Sequence, residues 1–274
     1  RNGNEIKGFP IKLKSPAKNA MSIFDYENNR NYRFLIACES KKIYCYETSG
    51  KEVKGFMFDK THAPVTLPIQ YFKVNNKEHL CIIDEKGKVY IINRKGETRI
   101  KLNEILPALK NFFIEPANDY AHTYIVGADS LGNILKLNLA NDKESFKLGD
   151  FKTPVYFDYS DISGNDNLKE YIFISGNELK VFSYNKSPLF NYEFKEPISN
   201  PPFVISLPNG QAKIGVVSEL TNELFLFNTD GSLYPDFPVE GRTIFSIGDF
   251  NNDESLNLVT GSPFNSIYSY QLKR

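Results

Sequence analysis

One hairpin pattern recurs along the chain, and it restricts the possible folds more than any other feature. Lys42 to Phe56 aligns with Glu223 to Phe237. In each segment a strand with alternating aromatics runs into a turn glycine, Gly50 or Gly231, and a Phe follows six residues later. Arg1 to Phe9 repeats the turn and the six-residue step at Gly3, and Gly96 repeats them with Leu102 in place of Phe. Glycine suits such turns because it accepts the positive φ that tight hairpins demand.

Upstream of each hairpin lie two more strand-like runs. The first set is Met21–Tyr26, Ile69–Val74, Phe112–Glu115, Val155–Tyr159, Phe203–Leu207 and Ile244–Asp249, with starts about 41 to 48 residues apart. The second is Phe34–Cys38, Leu80–Ile83, Tyr124–Ala128, Tyr171–Ser175, Ile214–Val217 and Leu256–Thr260. These second runs are short, almost wholly apolar and rich in β-branched residues, as strands covered on both faces should be. Four antiparallel strands per unit of this length is the pattern of a propeller blade, and a lone blade cannot bury both of its faces.

The expectation is therefore an all-β, six-bladed β-propeller occupying residues 1–274 as one domain. The last unit ends on a third strand, Ser266–Leu272, while the chain opens with a turn and a fourth strand, Glu5–Leu13. Residues 1–13 are thus expected to pair with the C-terminal blade, 243–274, closing the ring and removing two sheet edges. A chain that begins at Arg1, within a repeat, reads as a piece of a longer one.

Charge and motifs exclude more than they assign. Lys plus Arg and Asp plus Glu both number 33, so the basic excess usual in nucleic-acid binders is missing. The basic stretch from Lys12 to Lys18 is interrupted by apolar residues and Pro16, as on a solvated edge. No apolar run approaches the ~20 residues needed to span a bilayer, and the N-terminal residues do not read as a signal peptide. Cys38, Cys45 and Cys81 lie singly in apolar runs, without disulfide or metal spacing. His62, His79 and His122 are far apart in sequence, and no nucleophile elbow or His pair accompanies them. Gly127 to Gly132 lacks the lysine and following helix of a phosphate loop. Tyr44, Tyr46, Phe225, Phe227, Tyr268 and Tyr270 fall on third strands; most should fill the space between blades, and a few could anchor a partner.

Three inner strands end alike, at Phe24-Asp25-Tyr26, Phe157-Asp158-Tyr159 and Gly248-Asp249-Phe250. The last continues through Asn251, Asp253 and Asn257 to Gly261, and here the chain resembles FG-GAP and related bacterial propeller repeats. That resemblance implies calcium at Asp249, Asn251 and Asp253, because alternate Asp and Asn residues aim oxygens at a hard cation. The loop departs from the family pattern: Glu254 stands where a Gly makes the sharp turn, and Asn257 where a carboxylate is expected. The loop after Asp158 is out of step, and the one after Asp25 brings in Arg33. The residues by themselves favour a plainer role, capping the turn by accepting backbone N–H groups.

Over nearly its whole length the repeat is similar to FG-GAP, quinoprotein-like and WD40-like propellers. Its Gly-Phe-Pro strand followed by Phe-Asp-Tyr also looks like the C-terminal propeller of large bacterial cell-envelope proteins. The resemblance implies an extracytoplasmic location, in the periplasm or cell envelope. With no catalytic constellation and no cofactor signal, the expected function is a non-enzymatic scaffold. It would bind a protein partner or another region of its parent chain, without nucleic acid or membrane insertion. The alternative is a ligand-binding or enzymatic propeller with a sugar or other small molecule in the central channel. The absence of Trp speaks against a quinone-dependent dehydrogenase.

Overall fold

The computed structural model describes residues 3–164 and 168–272, and every regular element in them is a β-strand. Asn165 and Asp166, in the loop after Asp158, lie outside the described residues. The strands form six antiparallel sheets, each a simple meander in chain order. The first holds β1 (Ser22–Phe24), β2 (Arg33–Ala37) and β3 (Ile43–Glu47), and the second β4 (Gln70–Val74), β5 (Lys77–Ile83), β6 (Val89–Ile92) and β7 (Thr98–Ile100). The third holds β8 (Phe112–Glu115), β9 (Tyr124–Ala128), β10 (Asn133–Asn138) and β11 (Lys143–Lys147). The fourth holds β12 (Val155–Ser160), β13 (Glu170–Ser175), β14 (Glu178–Phe182) and β15 (Pro188–Glu193). The fifth holds β16 (Phe203–Ser206), β17 (Ala212–Ser218), β18 (Glu223–Phe227) and β19 (Val239–Glu240), and the sixth β20 (Ser246–Gly248), β21 (Asn257–Gly261) and β22 (Ile267–Gln271). Every first and second strand expected from the repeat is present, with ends shifted by a few residues at most.

Many of the turns share one geometry. Gly50, Gly87, Gly96, Gly210 and Gly231 each donate to the carbonyl three residues back, and the residue at that carbonyl donates to the one four residues on. This is a type I turn followed by a left-handed residue, a common three-residue hairpin loop. Lys41, Asn141 and Lys186 take the left-handed place in three further hairpins, at φ 68°, 79° and 71°.

The strands form two compact units, residues 1–129 with 134–145 and residues 130–133 with 146–274. Within each, alternate side chains of one strand serve two cores. In the first unit Leu80 and Ile82 of β5 join Leu35, Ile43 and Cys45, while Cys81 and Ile83 join Phe112, Ile125 and Leu137. In the second, Phe225 and Phe227 of β18 pack with Ile172, Ile174 and Val181. Leu224 and Leu226 face Phe245, Leu258 and Leu272. Burying each such side chain is worth roughly 1.5–3 kcal/mol, so a doubly covered strand contributes on both faces. Tyr44 and Tyr46 in the first unit and Phe225 and Phe227 in the second are buried, each pair in its own core, whereas Tyr268 and Tyr270 stay partly exposed. The three cysteines are free and buried.

The N-terminal segment differs from expectation. Glu5–Leu13 forms no strand. Phe9 packs edge-on against Phe34 at 6.1 Å, and Ile11 and Leu13 lie on Cys38, Tyr44 and Tyr46 of the first sheet. The alternation that suggested a strand is real, with Ile11 and Leu13 inward and Lys12 and Lys14 exposed. It serves side-chain packing rather than a backbone ladder.

One histidine is sealed in the first unit. His79 is 0% exposed, stacked on Phe72 at 5.1 Å and edge-on to Tyr120. Its Nε2 lies 3.3 Å from the Tyr120 hydroxyl, and its Nδ1 is buried without a partner. Burial first, then the Arg99 charge, lowers its pKa to about 4.

Two expected outcomes follow from this packing. At Gly87 (φ 77°) an added Cβ would collide with the Leu106 carbonyl, while at Gly210 (φ 82°) it would meet nothing. Gly87→Ala should therefore cost roughly 3 kcal/mol or more in urea unfolding, and Gly210→Ala only the ~1–2 kcal/mol of the left-handed backbone. Equal losses would contradict the difference in crowding. For His79, the unfolded chain binds the proton more readily than the folded one. Its favourable contribution is complete above pH ~6.5 and declines as pH falls towards about 4. The stability difference between the native protein and His79→Phe should shrink by about 3 kcal/mol across that window. A flat difference would mean that His79 is not sealed in. The comparison must be differential, because half-buried Asp158, raised to about 6, acts in the opposite sense.

Candidate functional site

Asp249 accepts the backbone N–H of Asp253 at 3.1 Å and of Glu254 at 3.0 Å. Asp253 accepts from Ser255 N–H at 2.8 Å and from Asn251 Nδ2 at 2.7 Å. The structure thus brings Asp249, Asn251 and Asp253 into one network of turn-capping bonds. Among the described residues, no group of three or more His, Cys, Asp or Glu is placed to hold a metal ion. Asn257 Oδ1, at the end of the loop, is buried without a partner.

The loop after Asp25 is a second copy of this network. Asp25 accepts from Asn29 N–H at 3.1 Å and Arg30 N–H at 2.7 Å, and Asn29 accepts from Asn31 N–H at 2.9 Å. Its ninth position is Arg33 rather than Asn257. The Arg33 guanidinium donates to Asn31 Oδ1 at 2.7 Å and to the carbonyls of Asn31 and Tyr32 at 3.2 Å. A fixed cation of the chain thus occupies the oxygen-rich end of this loop. Asp158 lies within β12 and is bonded by the Ser160 hydroxyl at 2.5 Å. His62 and His122 stand apart from these groups, and His122 pairs with Asp119 at 2.9 Å on the surface.

Next to the Asp25 loop the first unit carries an open groove. A cavity of about 280 Å³ is lined by Tyr26, Glu27, Asn31, Arg33, Cys45, Val53, Arg94 and Lys95. A second, of about 430 Å³, shares Arg94 and Lys95 and continues past Lys73, Lys77, Glu78, Glu97 and Arg99. The hairpin turn Asn93–Gly96 delivers Arg94 and Lys95, with Asn93 Oδ1 holding the Lys95 and Glu97 amides at 2.9 and 3.0 Å. Arg94 is braced by Glu27 at 3.1 Å and Glu78 at 3.6 Å. Basic side chains outnumber acidic ones here, on a chain of zero net charge.

Donors in this groove outnumber acceptors. The Tyr26 hydroxyl is buried and makes no hydrogen bond, and neither does the buried Nε of Arg99. Burial first, then the electrostatic influence of the neighbouring Cys45 and Glu78, raises the Tyr26 pKa, so the hydroxyl keeps its proton. Tyr71 is pushed up to about 12 by burial and then by Glu78, whose carboxylate its hydroxyl meets at 3.4 Å. Phe24, Tyr26 and Tyr71 form an aromatic cluster beneath, with centroids 5.4 to 6.2 Å apart. Burial also takes the Cys45 thiol up to about 12, which keeps it in the unreactive thiol form. The arrangement is suited to holding an anion. Sequence reasoning noticed Arg33 but missed Arg94, Lys95 and Arg99, whose only signal was a basic hairpin turn.

No family model matches the chain, and no curated protein sequence does. Among solved structures it is similar to BBS1N in complex with ARL6DN, soaked with mercury. The TM-score is 0.65 at 14% identity, over 96% of this chain and 81% of that one. It is also similar to the same complex soaked with lead, with a TM-score of 0.53 at 12% identity, over 98% and 94%. BBS1N is a β-propeller domain, and likeness at such low identity concerns the fold alone: this chain has an all-β, propeller-like fold.

Proposed function

We propose that the chain is a non-enzymatic interaction module whose basic groove takes an acidic segment of a protein partner or of its own parent chain. The observation that carries this reading is the excess of basic over acidic side chains lining the groove, Arg33, Lys73, Lys77, Arg94, Lys95 and Arg99 against Glu27, Glu78 and Glu97, on a chain of zero net charge. Braced guanidinium groups favour carboxylates, which they can engage through two parallel hydrogen bonds. The similar solved structures hold a protein partner, which supports a protein-binding use of the fold.

The finer architecture belongs to the same proposal. The six sheets are read as blades of one ring. The matching Asp25 and Asp249 loops support kinship with FG-GAP repeats, with both loops serving as turn caps. The extracytoplasmic location rests on that kinship.

The test is fluorescence anisotropy with a labelled decapeptide alternating Glu and Ala. Binding should weaken steeply between low and physiological salt, because exposed charges are screened beyond ~8–10 Å. Lys77→Glu with Lys95→Glu should reduce affinity at least tenfold, whereas Lys12→Glu with Lys14→Glu should leave it unchanged. Equal losses from both pairs, or tighter binding of single-stranded RNA of the same charge, would contradict the reading.

A further inference from the structure

A second unused group lies in the other unit. Lys213 sits on β17 opposite Ile205 of β16 and is only 7% exposed. Its ammonium donates to Gln211 Oε1 at 3.2 Å and lies 5.7 Å from the centre of the Tyr234 ring. Among the described residues no carboxylate comes within ion-pair distance of it. Asp230 acts on it from further away, and Glu254 stands nearby on the rim, both exposed to water. Burial lowers the Lys213 pKa, with Asp230 working the other way.

The ammonium borders a cavity of about 580 Å³, within the size range of small-molecule sites. Leu207, Leu256 and Leu272, with the rings of Tyr234 and Pro235, make most of its wall. The neighbouring amides are already engaged: Asn209 Oδ1 holds the Gln211 N–H at 3.0 Å, and Asn228 Nδ2 donates to Ser232 at 2.9 Å. One cation therefore stands beside an apolar chamber with a single neutral hydrogen bond, although an ammonium carries three donors. A charge withdrawn from water is destabilising unless it is paired. A ligand that brings an anion on an apolar body would supply the missing partner and fill the chamber.

We propose that this cavity binds a small apolar monocarboxylate, its carboxylate paired with the Lys213 ammonium and its hydrocarbon body against Tyr234, Leu207, Leu256 and Leu272. The site is built between β16–β18 and the last sheet, and both its cation and its walls belong to the second unit. It does not depend on the groove of the first unit. Phosphates and sugars fit it poorly, because its walls have few free polar groups to replace the water such ligands would give up.

The test is isothermal titration of the full chain at pH 7 with three probes of equal length: octanoate, octanol and octylamine. Octanoate should bind at least tenfold more tightly than octanol, and octylamine most weakly. Lys213→Met should bring octanoate to the level of octanol while octanol binding persists, and Lys213→Arg should restore the preference. Equal affinity for octanoate and octanol, no binding of any probe, or a preference for octanoate that survives in Lys213→Met would overturn the proposal. Should Lys213→Met fail to fold, the octanoate-to-octanol ratio of the native protein still decides. Leu256→Trp, which fills the cavity, should then abolish octanoate binding.

Discussion

Leu80 and Ile82 point into one core and Cys81 and Ile83 into another, and this division of one strand between two neighbours is the constraint on which the structure depends. Strand side chains alternate in direction, so a sheet between two others must be apolar at every position. Once each sheet is committed in this way, none can bury its surface alone, and stability becomes a matter of neighbours. The hairpin geometry serves the same end. A left-handed residue at Gly87, Gly96 or Gly231 returns the chain within a few residues, keeping successive strands side by side.

Because the sheets carry the hydrophobic load, loops and turns are free to hold polar groups in fixed places. Asp25 and Asp249 cap their loops from the same position and with the same partners, the backbone amides four and five residues on. The loops differ at most other positions, among them the ninth, where one has Arg33 and the other Asn257. Arg33 at that position makes the end of its loop part of a basic groove. Arg94 and Lys95 reach the same groove from a hairpin of the neighbouring sheet, so the site is a product of sheet stacking rather than of a local motif.

This explains what the sequence could and could not disclose. The strands were legible because apolar runs such as Leu80–Ile83 and Tyr171–Ser175 have few other uses, and the turns because Gly at a fixed offset has a steric reason. Glu5–Leu13 misled because alternation reports which side chains face inward, not whether a backbone partner lies alongside. The groove was illegible because Arg33 and Arg94 are distant in sequence, and Tyr26 looked like one more core aromatic. Lys213 was hidden differently: it precedes the apolar run Ile214–Val217, where a lysine ordinarily marks the solvated end of a strand. Here the strand begins at Ala212 and carries Lys213 inside.

The central claim is that the first unit's groove is an anion-seeking protein interface. Hydrogen exchange of the full chain with and without a saturating acidic peptide tests it most directly. The account predicts added protection concentrated in residues 26–33 and 93–99, disappearing in high salt. Protection spread evenly over the chain, or confined to other loops, would contradict it.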